Sequence, residues 1–539
     1  MRLSHCLSML IVSALGVACS RGDEAGANGA ADVSASTANV AASPASVPAT
    51  GDDLGPPGKS EEPAGYVRPV DLAGETHPYA VTLLDGGSKR VYSRSLRTWV
   101  YEAPERSAAR LGYLRAGGSA PVAGPAVSGS GCGGNWQPIK PKGYVCLNDQ
   151  TTFDGADPVV VASQEHPPDF SRKLPYIYGT VRKPGPMYAA LPTKTELEKA
   201  EPGHESRMKE WLAAPGEIGS SYAQDVWLGP GQAAVDPTWA WETGLTRDVP
   251  EWLLDGKPAP GLSGKVRERT PLVTGVMRQR VGYSFLHTFF WEGRRYGVTP
   301  DMEIIPTDRL RPIRGSEMRG VQIGKDVHFP FALVRKPGAK FRSGKDAPYH
   351  SALALTGKQD FFDKVLHYET QDGEWISDRV ASRLDPAKNM PGWGKNGEKW
   401  IDINVTKQTL MLYEGEIPVF ATLVSTGEAG LSDHQTTTAT KRGIFRIHTK
   451  HVSATMSSDE LGEEFELRDV PYVMYFDKEG YALHGAYWHD RFGTPKSHGC
   501  INLSPEDARR VFHWTDPVVP TGWHGALLPL KGTVVFIHQ

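Results

Sequence analysis

Residues 481–512 read YALHGAYWHDRFGTPKSHGCINLSPEDARRVF, and a thiol among several imidazoles is the material of a nucleophile and its base. A cysteine attacks as a thiolate, so it needs a neighbour that lowers its pKa or takes its proton. The chain has only 5 cysteines. Cys132 and Cys146 lie close together in one β-rich segment, Cys6 and Cys19 lie in the N-terminal leader, and Cys500 is left beside histidines. In an exported protein such a cysteine is a candidate nucleophile. His484 ends a strand-like run, and the Gly- and Pro-containing stretch after it can bring it back to accept the thiol proton. His498 would point to the same side as Cys500 if that segment is extended. Gly499 permits tight backbone geometry, so that main-chain N–H groups near Cys500 face a developing oxyanion. The competing chemistry is a zinc site from His484, His489, His498 and Cys500, but the spacings fit no usual pattern and no carboxylate or second cysteine completes it. His489, His513 and His524 are expected to be structural histidines.

The elements that must position these groups begin at about residue 391. Ile401, Ile403 and Val405 alternate with polar residues, Thr406-Lys407-Gln408 turns the chain, and Leu410, Leu412 and Tyr413 continue. A second turn at Glu414-Gly415-Glu416 precedes a strand through Val424, which together predict an antiparallel meander. Further strands are predicted over 443–449, 471–476, 481–485 and 532–538. Ser504-Pro505-Glu506-Asp507 has capping-box form with Pro at the first helical position, launching a short helix through about Trp514.

The run HGAYWHDRFGTPKSHGCIN resembles the signature of the L,D-transpeptidase catalytic domain, the YkuD family, over roughly residues 399–538. The resemblance implies Cys500 as the acylated nucleophile and His484 as its base. His498, Gly499 and Ser497 would shape the site and its oxyanion pocket, with Asn502 and Gly485 as substrate-binding positions. It also implies acyl transfer on peptidoglycan stems, of the meso-diaminopimelate type, through a thioester and without metal or cofactor; the acceptor amine is left open. Lys441 stands where the family's Thr-Pro-x-Gly-x-Phe run has proline. Water in place of the amine would make a carboxypeptidase or hydrolase, and a wall-binding lipoprotein with an inert domain is the reading from another class.

The rest of the chain sets the frame. At 539 residues, and with about 150 residues per domain as a prior, three or four domains are expected. A net charge of -3 gives no sign of nucleic acid as a partner. Residues 1–19 read as a signal peptide: its apolar run, Leu7 to Ala18, is too short to span a bilayer of about 30 Å. Gly16, Val17 and Ala18 before Cys19 resemble a lipoprotein cleavage box, predicting lipidation of Cys19, a cell-envelope or periplasmic location, and membrane contact through that anchor alone. Residues 20–65, rich in Ala, Ser, Gly and Pro, read as a flexible tether.

Residues 66–150 resemble a bacterial SH3-like module, with Trp136 and the Gly143 to Cys146 run in the expected order and a disulfide expected between Cys132 and Cys146. Residues 151–390 read as an uncertain β-rich middle in which VRKPGPMY (181–188) echoes VRKPGAKF (334–341), allowing further SH3-like modules. Residues 391–539 are the catalytic domain. The expected fold class is therefore multi-domain and mainly β: SH3-like barrels, then an L,D-transpeptidase-type β-sandwich with a short helix after the cysteine motif.

Overall fold

Two strands that are remote in sequence lie side by side at the centre of the C-terminal region. Lys399–Asn404 pairs in parallel with Val534–His538, and antiparallel with Thr409–Glu414. Ile417–Leu423, Val321–Gln322 and Gly443–Arg446 complete a six-stranded sheet. The computed structural model describes residues 89–206, 246–262, 271–292, 294–458, 465–529 and 531–539. The predicted signal segment, Cys6, Cys19, the tether and the start of the first module lie outside them. The fold is mainly β, built from several sheets.

This sheet is covered on both faces: Thr409–Glu414 is apolar at four successive positions, Leu410 to Tyr413, and Lys399–Asn404 adds Trp400 opposite Ile401 and Ile403. Ile401, Ile403, Leu410, Leu412 and Phe420 pack into a core with Ile501, Leu503 and helix residues Val511 and Phe512. Trp400, Met411, Tyr413 and Leu423 on the other face pack against Phe331 and Leu333, which belong to a separate five-stranded sheet in residues 331–384. Trp400 and Tyr413 stack at 4.2 Å between ring centroids.

The helix Pro505–Trp514 starts where the sequence places it: Ser504 accepts a hydrogen bond from the Asp507 N–H at 3.2 Å. Asp507 does not return the bond. Its carboxylate instead accepts from the Gly320 N–H at 2.9 Å and from the Thr422 hydroxyl at 2.5 Å, so the capping box is half formed and the other half ties helix to sheet. At the far end Lys450, buried, donates to the carbonyl oxygens of Phe512 and of Thr515, the latter at 2.7 Å. An amine donor on the last carbonyls satisfies orphan acceptors, and burial lowers the Lys450 ammonium to about 7.

The second large sheet runs through a hairpin that the sequence only partly reveals, Thr449–Ser458 with Phe465–Tyr475. Thr449–Ser458 pairs antiparallel with Gly525–Leu527, which in turn pairs with Arg110–Leu114 of the first module, while Leu467 of the other strand pairs with Gly282 of the middle region. One buried ionic knot pins this junction. Asp469 accepts from Arg115, from the Ser284 hydroxyl at 2.5 Å and from the Ser453 hydroxyl at 2.8 Å. His524 Nε2 lies 3.0 Å from the same Ser453 hydroxyl.

In the first module, Cys132 and Cys146 form a disulfide with Cα atoms 5.7 Å apart, beside buried Trp136. In the middle region, the helix Lys194–Ala200 is opened by a full Thr193/Glu196 capping box.

Candidate active site

The motif is a crossover between two short neighbouring strands. Ala482–Gly485 and Ile501–Leu503 pair in parallel, with Leu483 opposite Ile501, His484 opposite Asn502 and Gly485 opposite Leu503. Parallel neighbours cannot be joined by a tight turn, so residues 486–500 loop out and return. Continuing the register back one residue sets Cys500 beside Ala482. His484 and Asn502 are cross-strand partners on one face, and extending the strand by one residue would put Cys500 on that face too. Diagonal neighbours on one face are roughly 7–8 Å apart at the backbone, within reach of an imidazole.

The loop is held on several sides. The Gly493 N–H donates to the Val424 carbonyl at 2.9 Å, and the Lys496 N–H to the Thr426 carbonyl at 2.8 Å. The Ser425 hydroxyl donates to the Arg491 carbonyl at 2.8 Å. From the other side, Tyr349 donates to the Asp490 carbonyl at 3.0 Å and Ser316 to the Asp490 carboxylate. Phe492 is buried in the same core as Phe331 and Trp400. Regions read as middle modules thus grip the loop between His484 and Cys500.

The turn before Cys500 closes on itself. The Ser497 hydroxyl donates to the Cys500 carbonyl and accepts from the Gly499 N–H at 3.2 Å. Gly499 has φ 118°, and a Cβ there would meet the Tyr481 ring at 2.7 Å; only glycine fits. This bend corrects the expectation that His498 and Cys500 share a side on an extended segment, and His498 is exposed. Cys500 is half-buried, with Sγ 3.8 Å from the Gly480 carbonyl oxygen. Gly485 lies buried, its Cα facing Pro471 and Ala508.

Burial governs the histidines. His484 is 3% exposed, which pushes its pKa down to about 4, opposed by the Gly485 main chain. Its Nδ1 has no hydrogen-bond partner among the described residues. Trp488 lies tilted over it, ring centroids 5.6 Å apart. His489 is buried as well, its pKa lowered to about 3 by desolvation, and its Nε2 is 2.9 Å from the Asn502 amide. No three His, Cys, Asp or Glu side chains are grouped to hold a metal ion among the described residues.

With the geometry in place, comparison adds the family. Residues 398–537 match the model of YkuD, the L,D-transpeptidase catalytic domain. This part of the chain is similar to the catalytic domain of that family. Among solved structures, an Enterococcus faecium L,D-transpeptidase is 23% identical over 26% of this chain and 50% of that one, TM-score 0.20. One from Stackebrandtia nassauensis is 26% identical over 29% of this chain and 58% of that one, TM-score 0.19. One from Mycobacterium smegmatis is 16% identical over 42% of this chain and 100% of that one, TM-score 0.21. The match therefore spans about half the length of the Enterococcus faecium protein. No curated relative matches the chain.

Within residues 398–537, one residue matters that the sequence reading passed over. Thr440 donates its hydroxyl to the Gly499 carbonyl at 2.8 Å and accepts from the Gly427 N–H at 2.8 Å, tying the turn before Cys500 to the neighbouring strand exit. The signal was at hand, since Thr440 is the threonine of the run in which Lys441 replaces proline. Lys441 itself pairs with Asp477 at 3.1 Å and Glu479 at 3.0 Å, beside the Gly480-Tyr481 step that flanks the thiol.

Proposed function

We propose that the protein is a peptidoglycan L,D-transpeptidase that works through a Cys500 thioester, in the cell envelope. The observation that supports this reading is the parallel strand pair in which buried His484 faces Asn502, two residues from the half-buried Cys500. His484 takes the Cys500 proton as sulfur attacks the carbonyl of the third stem residue, meso-diaminopimelate in this reading. The C–N bond to the terminal D-Ala breaks, and the imidazolium returns its proton to the leaving amine. An amine of a second stem then attacks the thioester, His484 removes its extra proton, and the thiol is regenerated with a 3-3 cross-link.

A base with a pKa near 4 is weak against a thiol of pKa about 8.5. Proton transfer is therefore coupled to bond formation, and the imidazolium is stabilised only while negative charge stands opposite it. Burial keeps the resting imidazole neutral and available.

The test is intact mass of the soluble chain after incubation with a disaccharide-tetrapeptide, beside Cys500→Ala and His484→Ala. A Cys500-dependent adduct with loss of D-Ala and a cross-linked dimer is expected. Tripeptide without dimer would shift the assignment to a hydrolase. No adduct from any stem peptide would overturn the reading.

A further inference from the structure

His489 is the residue in this loop that the mechanism leaves idle, yet it is buried against Asn502, the direct cross-strand partner of His484. Its two ring nitrogens have distinct neighbours. The Arg491 main-chain N–H points at Nδ1 from 3.2 Å, and a backbone amide can only donate. Nδ1 is therefore the unprotonated nitrogen, and in a neutral ring the proton sits on Nε2.

That proton decides the direction of the Asn502 side chain. Set with Nδ2 at 2.9 Å from His489 Nε2, the amide would oppose donor to donor, and its Oδ1 would be buried with no partner among the described residues. The two ends of an amide are alike in shape, so hydrogen-bond chemistry chooses between them. Turned over, Oδ1 accepts from Nε2–H and the NH2 takes the inner position. That position belongs to a side chain on the strand face that carries its partner His484, two residues from Cys500.

We propose that His489 is a positioning residue of the transpeptidase site: its Nε2–H fixes the Asn502 amide so that an N–H donor, not a carbonyl oxygen, faces the Cys500 and His484 side. The inference rests on the acyl-transfer reading above. During acylation, negative charge gathers on sulfur and then on the substrate oxygen. A fixed donor on that face stabilises it, whereas a carbonyl dipole of opposite sense would oppose it. His489 touches no reacting atom in this scheme and acts through Asn502.

Two measurements on the full chain test it. Nitrogen-15 spectra of histidine-labelled protein, with the His489 signals assigned by difference against His489→Gln, are expected to show Nε2 protonated and Nδ1 bare. Thioester formation is then timed at saturating stem peptide for wild type, His489→Gln and His489→Glu. Glutamine keeps a donor toward Asn502, and glutamate of the same shape offers only an acceptor. The glutamine variant should stay within about threefold of wild type, and the glutamate variant should slow by about tenfold to a hundredfold. Half-saturating peptide should be unchanged in both. Asn502→Asp, which keeps the bond to Nε2–H but lacks the inward donor, must show the same loss; it is the deciding variant if His489→Glu does not fold. A proton on Nδ1, or equal rates for the glutamine and glutamate variants, would overturn the proposal. If wild type forms no thioester, the transpeptidase reading fails instead, and the tautomer still decides which way the amide is turned.

Discussion

Tyr349 donates its hydroxyl to the main-chain oxygen of Asp490, 3.0 Å away, and so joins the region of the five-stranded sheet to the loop that separates His484 from Cys500.

Tyr349→Phe removes the bond and keeps the ring. The expected cost is about 1 kcal/mol of stability, with thioester formation on Cys500 slowed severalfold. Denaturant unfolding and a mass-spectrometric time course read the two effects; an unchanged time course would show that the loop holds its geometry without this contact.

Thr440→Val is isosteric and loses both hydroxyl bonds, leaving the Gly499 carbonyl and the Gly427 N–H without their partner. A buried group left unsatisfied costs about 1–3 kcal/mol. Because the bend before Cys500 depends on it, the loss should appear in the acylation rate more than in peptide affinity. Single-turnover kinetics across a range of peptide concentrations separates these; a change confined to affinity would assign Thr440 to substrate binding instead.

Acid should loosen the fold well before it titrates the base. His350 and His484 are pushed down to about 4, His451 and His489 to about 3, and His524 well below its ordinary value, in every case by burial. The unfolded chain takes up these protons once pH drops below about 6.5 and the folded protein does not. Stability is thus full above that pH and is lost as pH falls toward the folded values, each histidine contributing up to about 1.4 kcal/mol per pH unit. Asp507, raised to about 6 by burial, acts in the opposite sense, stabilising most in acid and losing that as pH rises through 6. Asp490, raised by burial, and His538, raised by its bond to Asp402, act with Asp507, while Lys450, lowered to about 7 by burial, adds to the five histidines. Denaturant midpoints at about pH 7 and about pH 5.5 should differ clearly, and equal midpoints would mean these histidines are solvated.

Arg115→Met strands the Asp469 carboxylate, which the guanidinium and two serine hydroxyls hold down at about 2 despite burial. Uncovering one member of a buried pair costs about 3–5 kcal/mol. Adding Asp469→Asn to Arg115→Met should recover much of it. A single variant as stable as wild type, in denaturant titration, would refute the idea that this knot secures the junction of first module, middle region and hairpin.

The chemistry was more legible than its support. Cys500, His484, Gly499 and Asn502 stand close in sequence, and the strand and helix patterns around them predicted the meander and the Ser504 cap. The 449–475 hairpin was only partly visible because Lys450, Ser453 and Asp469 interrupt its apolar alternation; each is buried through a tertiary partner that no local pattern reveals. The second apolar face of the Lys399–Asn404 strand was hidden likewise, since Trp400 meets Phe331 and Leu333 only in the folded chain. Tyr349, Ser316 and Thr440 act on the site from a distance in sequence that motif spacing does not measure.

The pairing of Gly112 with Ala526 and of Tyr113 with Gly525 also orders events in time. A strand made early in synthesis finds its edge partner only among residues made near the end, and Leu467 likewise meets Gly282 from afar. Contacts of such long sequence separation must close large loops before they stabilise anything. The first module thus emerges with an open strand edge and keeps it until Gly525–Leu527 has been made, so this part of the chain matures by a long-range closure rather than bead by bead.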